Sequence, residues 1–349
     1  MKPQNLFNHI LNNTQASSKK KFLPALDGVR GLAVLLVIAS HTEAFFLHRQ
    51  GGMGVWIFFS LSGMLLTLTF LDKDGHILNI DLKKYTIRRI LRIVPLYYSV
   101  LWTLYFTNYF DLKTTINHLL FIEGRIHFWS IRQEMIFYVA LPAIIFTLVR
   151  LQAYPILRIV ILLVATFFFQ EIFIHLRNEY SLPWKSEPVY FAGFGFGVCA
   201  ALAYRYFETI SFSLIGYSLL IFFLLGNYAF TNYLLTSFGY APLPSSLAWT
   251  YPSLTSLAGA TFVLTAACSK GSYLEKLLTL KALRLFGVTG YSMYCLHWFV
   301  FAHGARLGIP YGHWLFLYTV IVTFVASCFT YILLEKPFLK KRKSDHSEA

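Results

Sequence analysis

The chain has 349 residues, of which 56% are hydrophobic, 18% aromatic and only 13% charged, roughly half the charged share of an ordinary soluble domain. Its net charge of +14 would suit a nucleic-acid binder, but apolar stretches near or above ~18 residues recur from end to end and read as membrane-spanning helices, so no nucleic-acid partner is expected. The four cysteines, Cys199, Cys268, Cys295 and Cys328, lie in or beside apolar stretches without a CxxC, which argues against a disulfide framework and a thiolate metal site.

In chain order, residues 1–27 read as a cytoplasmic leader carrying three consecutive lysines. Ten spans follow, at about 28–47, 54–71, 94–110, 128–149, 157–175, 188–204, 211–229, 253–268, 285–303 and 313–334. Residues 335–349 form a basic cytoplasmic tail. With the N-terminus inside, 22 of the 30 lysines and arginines fall in cytoplasmic segments, the bias that orients membrane proteins. The predicted fold is therefore all-α and polytopic, with about ten transmembrane helices over 28–334 and both termini cytoplasmic.

The first span, "LDGVRGLAVLLVIASH", carries Arg30 and His41, eleven positions apart. At 100° per residue the two fall on one face, separated by about 16 Å along the axis. They would line one side of an internal path, Arg30 near the cytoplasmic mouth and His41 near mid-membrane. Two readings stand for Arg30: a functional cation, or a side chain that snorkels to lipid phosphate. Ahead of the third span, "YTIRRILRIVPLYY" gathers Arg88, Arg89 and Arg92 in a basic amphipathic stretch. Guanidinium forks suit phosphate, and membrane lipids are the alternative partner for such a cluster.

The fourth span opens with "FWSIRQEMIFYVALP", where Ser130, Glu134 and Tyr138 share a face at spacings of four. A carboxylate at Glu134, inside the span, must be paired, protonated or facing water. "GFGFG" (193–197) has the GxxxG spacing that lets helices approach closely. His297, in "GYSMYCLHWFVF", is a mid-span histidine open to core packing or substrate contact. No HExxH, GxSxG or Walker loop occurs, so zincin, serine-hydrolase and ATPase readings lack support.

Taken together these segments resemble the acyltransferase-3 family of integral membrane acyltransferases. The likeness runs from "LDGVRGLAVLLVIASH" through "GVWIFFSLSGMLL" (54–66), "RRILRIVP" (88–95), "FWSIRQEMIFY" (128–138) and "GYSMYCLH" (290–297) to "EKPF". Trp56 stands where that family usually has an Asp, Met135 and Ile136 replace an acidic residue and a Gln, and Arg132 occupies a position that is usually small. The resemblance implies transfer of an acyl group, commonly acetyl, from cytoplasmic acyl-coenzyme A to a hydroxyl of an envelope glycan or glycolipid, such as O-antigen or exopolysaccharide, in a bacterial inner membrane. Acetyl-coenzyme A would be the donor, and no metal is expected.

On that reading Arg89 and Arg92, with Arg88, hold the coenzyme A phosphates, and Arg30 continues the contact inward. His41 is the general base that takes the acceptor's hydroxyl proton, and Glu134 orients it or stabilises its imidazolium. Trp129, Ser130, Tyr138 and His297 would contact the acceptor. An acyl-enzyme on His41 is a second route. The rival reading is a proton-coupled transporter of an amphipathic or glycolipid substrate, which would also place His, Glu and Arg inside the bilayer.

Overall fold

The computed structural model describes residues 23–44, 51–72, 75–77, 81–179, 191–210, 213–225, 232, 235–242 and 247–340. Most of the expected leader (1–22) and of the basic tail (341–349) lies outside the described residues. The helices are α1 (Pro24–Thr42), α2 (Gly51–Leu68), α3 (Leu82–Phe106), α4 (Leu112–Leu119), α5 (Trp129–Val149), α6 (Pro155–Glu179), α7 (Phe191–Phe207), α8 (Ser213–Leu225), α9 (Leu247–Ala267), α10 (Tyr273–Leu278), α11 (Lys281–Val288), α12 (Gly290–Arg306) and α13 (His313–Thr330). A π-turn (Tyr331–Glu335) and α14 (Lys336–Lys340) continue α13. Among the described residues, β structure is limited to one bridge between Leu71 and Ile77.

A helix stands on each of the ten expected spans. Four are long and apolar enough to cross a membrane alone: Pro24–Thr42, Trp129–Val149, Pro155–Leu176 and His313–Phe338. The pair α11–α12 passes only as one span bent by 81°. Outward-facing apolar side chains such as Val139, Leu214 and Trp314 are 70–81% exposed, while Ser292 and His297 are fully buried. A protein with that distribution is built for lipid, and the chain is an integral membrane protein.

Three boundaries differ from the sequence expectation. α1 starts at Pro24, where a proline's preset φ and missing N–H cost nothing, and ends as Glu43 turns left-handed with φ 56°. His41 therefore sits in the last turn of α1, not half-way along a longer span. The basic stretch at 82–93 is not a separate surface element. It is the first half of α3, capped by Asp81, which accepts from the Lys84 amide at 2.9 Å, and the helix continues through Pro95 to Phe106. The ninth span is broken at Thr289, so that α11 lies across the end of the bundle before α12 enters it.

Glycines bring the central helices together. A Cβ on Gly63 of α2 would stand 2.3 Å from the Phe194 carbonyl oxygen, and one on Gly197 of α7 would stand 2.4 Å from that of Ser60. The GxxxG spacing thus acts as expected, letting two backbones touch. α1 meets α10 and α11 in the same way: a Cβ on Gly28 would lie 1.7 Å from the Leu278 oxygen, and one on Gly287 would lie 1.7 Å from that of Asp27. This contact pins the start of α1, and with it Asp27 and Arg30, against the bend that leads into α12.

Candidate active site

The site is built on α12, along which two groups of side chains meet it at different heights. At its start, Arg30 of α1 lies against Gly290, whose missing Cβ would be 3.3 Å from the Arg30 Cγ. Arg30 Nη1 donates to Asp27 Oδ1 at 3.2 Å, and Arg284 of α11 approaches the other Asp27 oxygen at 3.9 Å. Arg92 of α3 donates to the buried Glu335 at 2.9 Å, and Ser292 Oγ donates to the second oxygen of that carboxylate. The Arg92 guanidinium also lies over the Tyr291 ring. One helical turn before Arg92, Arg89 sits between the rings of Tyr85 and Tyr138, 6.0 and 5.8 Å from their centroids.

Glu134 belongs to this layer. It accepts from Tyr138 Oη at 2.5 Å and from Ser62 Oγ of α2 at 2.9 Å, within electrostatic reach of Arg30 and Arg92. Four arginines (Arg30, Arg89, Arg92, Arg284) thus face three carboxylates (Asp27, Glu134, Glu335), a formal surplus of one positive charge. Such a surplus in a low-dielectric setting favours an anionic ligand.

The second group lies farther along α12. His41 stacks on His297, with ring centroids 5.3 Å apart, and meets the Trp298 ring edge-on at 5.0 Å. His127, in the turn before α5, meets His297 at 4.9 Å. Both inner imidazoles are held by backbone carbonyls: His297 Nδ1 lies 2.6 Å from the Tyr294 oxygen, and His127 Nε2 lies 3.2 Å from that of Cys295. A carbonyl only accepts, so each of those nitrogens carries the hydrogen. In the neutral rings His297 Nε2 and His127 Nδ1 are then lone-pair acceptors, and both are buried with no hydrogen-bond partner. Ser130 Oγ donates to Tyr294 Oη at 2.7 Å, and Tyr294 in turn donates to the His127 carbonyl at 2.8 Å.

Arg30 and His41 therefore both face α12, one at its first residue and the other at His297 and Trp298. Glu134 is placed otherwise than expected. Its hydrogen bonds go to Ser62 and Tyr138 and none reaches His41, whose ring is held by aromatic neighbours instead. Arg92 is engaged by Glu335, which leaves Arg89 and the solvent-exposed Arg88 as the outward members of the cluster. The Ser130 hydroxyl is used in the Tyr294 chain, and the Trp129 ring packs edge-on against Phe59. Trp56 is buried in the apolar cluster that includes Ala33, Leu36 and Met53, so no carboxylate stands at that position. His127, Tyr294, Ser62, Asp27 and Glu335 were not singled out from the sequence. Glu335 had a signal, as a carboxylate closing the apolar run 313–334; His127 had none beyond its nearness to Trp129.

An apolar cleft of about 690 Å³ opens between α5, α6 and α7, lined by residues such as Ile136, Phe137, Phe169 and Phe194, with Arg132 and Gln133 also in its wall. Among the described residues no group of three or more His, Cys, Asp or Glu side chains is arranged to hold a metal ion.

The acyltransferase domain family matches residues 23–335, which takes in both groups, and the chain belongs to that family. It is similar to a "Putative peptidoglycan O-acetyltransferase" of Bacillus subtilis, 40% identical over 91 residues (25% of this chain and 14% of that protein). It is also similar to a peptidoglycan O-acetyltransferase of Listeria monocytogenes, 40% identical over 82 residues (24% and 13%). A "Putative O-acetyltransferase" of Staphylococcus aureus is 29% identical over 168 residues (40% and 28%). The matched stretches thus span less than a third of each relative's length. No solved structure matches the chain.

Proposed function

We propose that this member of the acyltransferase domain family is an O-acetyltransferase of the bacterial inner membrane, moving an acetyl group from cytoplasmic acetyl-coenzyme A to a hydroxyl of an envelope glycan. The proposed topology has ten crossings and both termini inside, in keeping with the lysine and arginine bias. The relatives named as O-acetyltransferases support the reaction class, and the two named for peptidoglycan support a glycan acceptor. The observation that carries the reading is the alignment of Arg30 and His41 on α12, with an arginine-rich layer at one height and a histidine cluster at the other.

Arg88 and Arg89 contact the donor's phosphates, and Arg30 and Arg92, held by Asp27 and Glu335, line the way inward. The pantetheine arm, long and thin, carries the thioester toward His41. His41 takes the proton of the acceptor hydroxyl as its oxygen attacks the thioester carbon. The tetrahedral intermediate then expels the coenzyme A thiolate, and the imidazolium returns the proton to sulfur, so the base is regenerated. Glu134 acts through Tyr138 and on the charge of the arginine layer, and does not orient the base. Where the acceptor is lipid-linked, its tail would lie in the apolar cleft beside α5, with Arg132 toward its headgroup.

Incubating membranes with radiolabelled acetyl-coenzyme A and envelope glycan tests the reading. Label transferred to glycan by the wild type and lost in His41→Ala is the expected result. Flux of substrate into vesicles without label transfer would instead identify a transporter.

A further inference from the structure

Away from α12 a second group of arginines is arranged differently. Arg158, in the first turn of α6, is only 1% exposed. Its Nη2 donates to the Gly75 carbonyl at 3.1 Å, in the turn that follows α2, while its Nε and Nη1 are buried with no hydrogen-bond partner. Arg205, at the end of α7, lies against the same turn: a Cβ on Gly75 would stand 2.6 Å from its Nη1. Gly75 has φ +76°, a conformation that glycine adopts without strain, and its bare Cα leaves the two guanidinium groups room to converge.

Arg30, Arg92 and Arg125 each have a carboxylate in ion-pair contact. Among the described residues Arg158 and Arg205 have none, and they are near enough to repel each other. Tyr206 adds a phenol, its ring under the Arg205 guanidinium at 5.1 Å and itself within electrostatic reach of Arg158. A buried cation with unused donors is strongly unfavourable unless an anion completes it. Two planar forks with a hydroxyl beside them form the donor set that suits the tetrahedral oxygens of a phosphate.

We propose that Arg158 and Arg205 clamp one phosphate group at the Gly75 turn, supplied either by a phospholipid headgroup or by a soluble phosphate compound. The seat is built from other helices than the Arg88–Arg92 cluster, and it does not rest on the transfer reaction proposed above.

The test uses the delipidated full chain in a neutral maltoside detergent, with Arg158→Gln and Arg205→Gln. One arm follows thermal unfolding with added phosphatidylglycerol against phosphatidylcholine. The other adds inorganic phosphate or pyrophosphate against chloride at equal ionic strength. In at least one arm the wild type should be protected, and the concentration giving half protection should rise about tenfold in each variant, the scale of losing one charged hydrogen-bonding partner. Protection by phosphatidylglycerol identifies the headgroup as the source, and protection by the free anions identifies a soluble compound. Without added phosphate, Arg158→Gln should melt no lower than wild type, because it removes an uncompensated charge. Arg205 is exposed, so its variant keeps the test intact should Arg158→Gln fail to fold. Absence of protection in both arms, or equal protection of wild type and variants, overturns the proposal.

Discussion

The two groups of side chains on α12 are held by opposite means. In the arginine layer charges hold charges: Asp27 with Arg30, Glu335 with Arg92, and Glu134 braced by Tyr138 and Ser62. In the histidine cluster rings are held by rings and by backbone carbonyls, and the ring nitrogens that remain are unspent. The first arrangement spends most of its polar groups on one another, with Arg89 Nε left without a hydrogen-bond partner, and sets a charge and a shape. The second keeps lone pairs for something else to use. A residue removed from the layer should therefore cost stability first, and one removed from the cluster should cost rate first.

The largest expected departure from wild type is kinetic. His41→Ala should lower kcat by about 10²–10⁴-fold, the usual contribution of a general base, with a thermal midpoint close to wild type because the ring is only half-buried. A variant that transfers acetyl at the normal rate would break the comparison on the histidine side. In the layer, Glu335→Ala should destabilise the protein by about 3–5 kcal/mol, since it strands the Arg92 guanidinium. Unfolding in detergent measures this, and the double variant Arg92→Met/Glu335→Leu should recover most of the loss. Failure of the double variant to recover would mean the pair does more than neutralise itself.

Packing that positions the layer should give a smaller effect. Gly28→Ala places a methyl group 1.7 Å from the Leu278 oxygen and should cost about 1–3 kcal/mol as the helices part, with KM for the donor rising because Arg30 moves. The smallest change is expected at Arg88, which is exposed and outside the carboxylate pairs. Arg88→Gln should weaken donor binding by less than about tenfold, an effect that fades as salt is raised. Donor binding by calorimetry checks this, and a loss independent of salt would put Arg88 in the buried layer after all.

Much of the local structure was legible in advance. The ten apolar segments all carry helices, Ser130, Glu134 and Tyr138 occur on one helix at the spacing that brings Tyr138 to Glu134, and Arg30 and His41 share the face that meets α12. What was not legible follows a pattern. α3 runs through a boundary that composition suggested, and through Pro95 itself, because a change from basic to apolar residues does not by itself end a helix. The expectation that Glu134 orients His41 rests on its being a carboxylate inside a span, but Ser62, some 70 positions earlier in the chain, takes its second bond.

The helical periods and the apolar runs come from neighbours within a turn or two, and for these the order of residues was enough: it assigned the membrane class, the helices, and which polar groups share a helix face. The pairing of Arg92 with Glu335 spans 243 positions, and that of His127 with the Cys295 carbonyl spans 168. Such partners are chosen by the close approach of backbones at glycines and by the bend at Thr289, which act between helices far apart in the chain. Hence the chemistry-bearing residue types could be found from local pattern, while their partners, and so their division into structural pairs and unspent nitrogens, came only from how the helices pack.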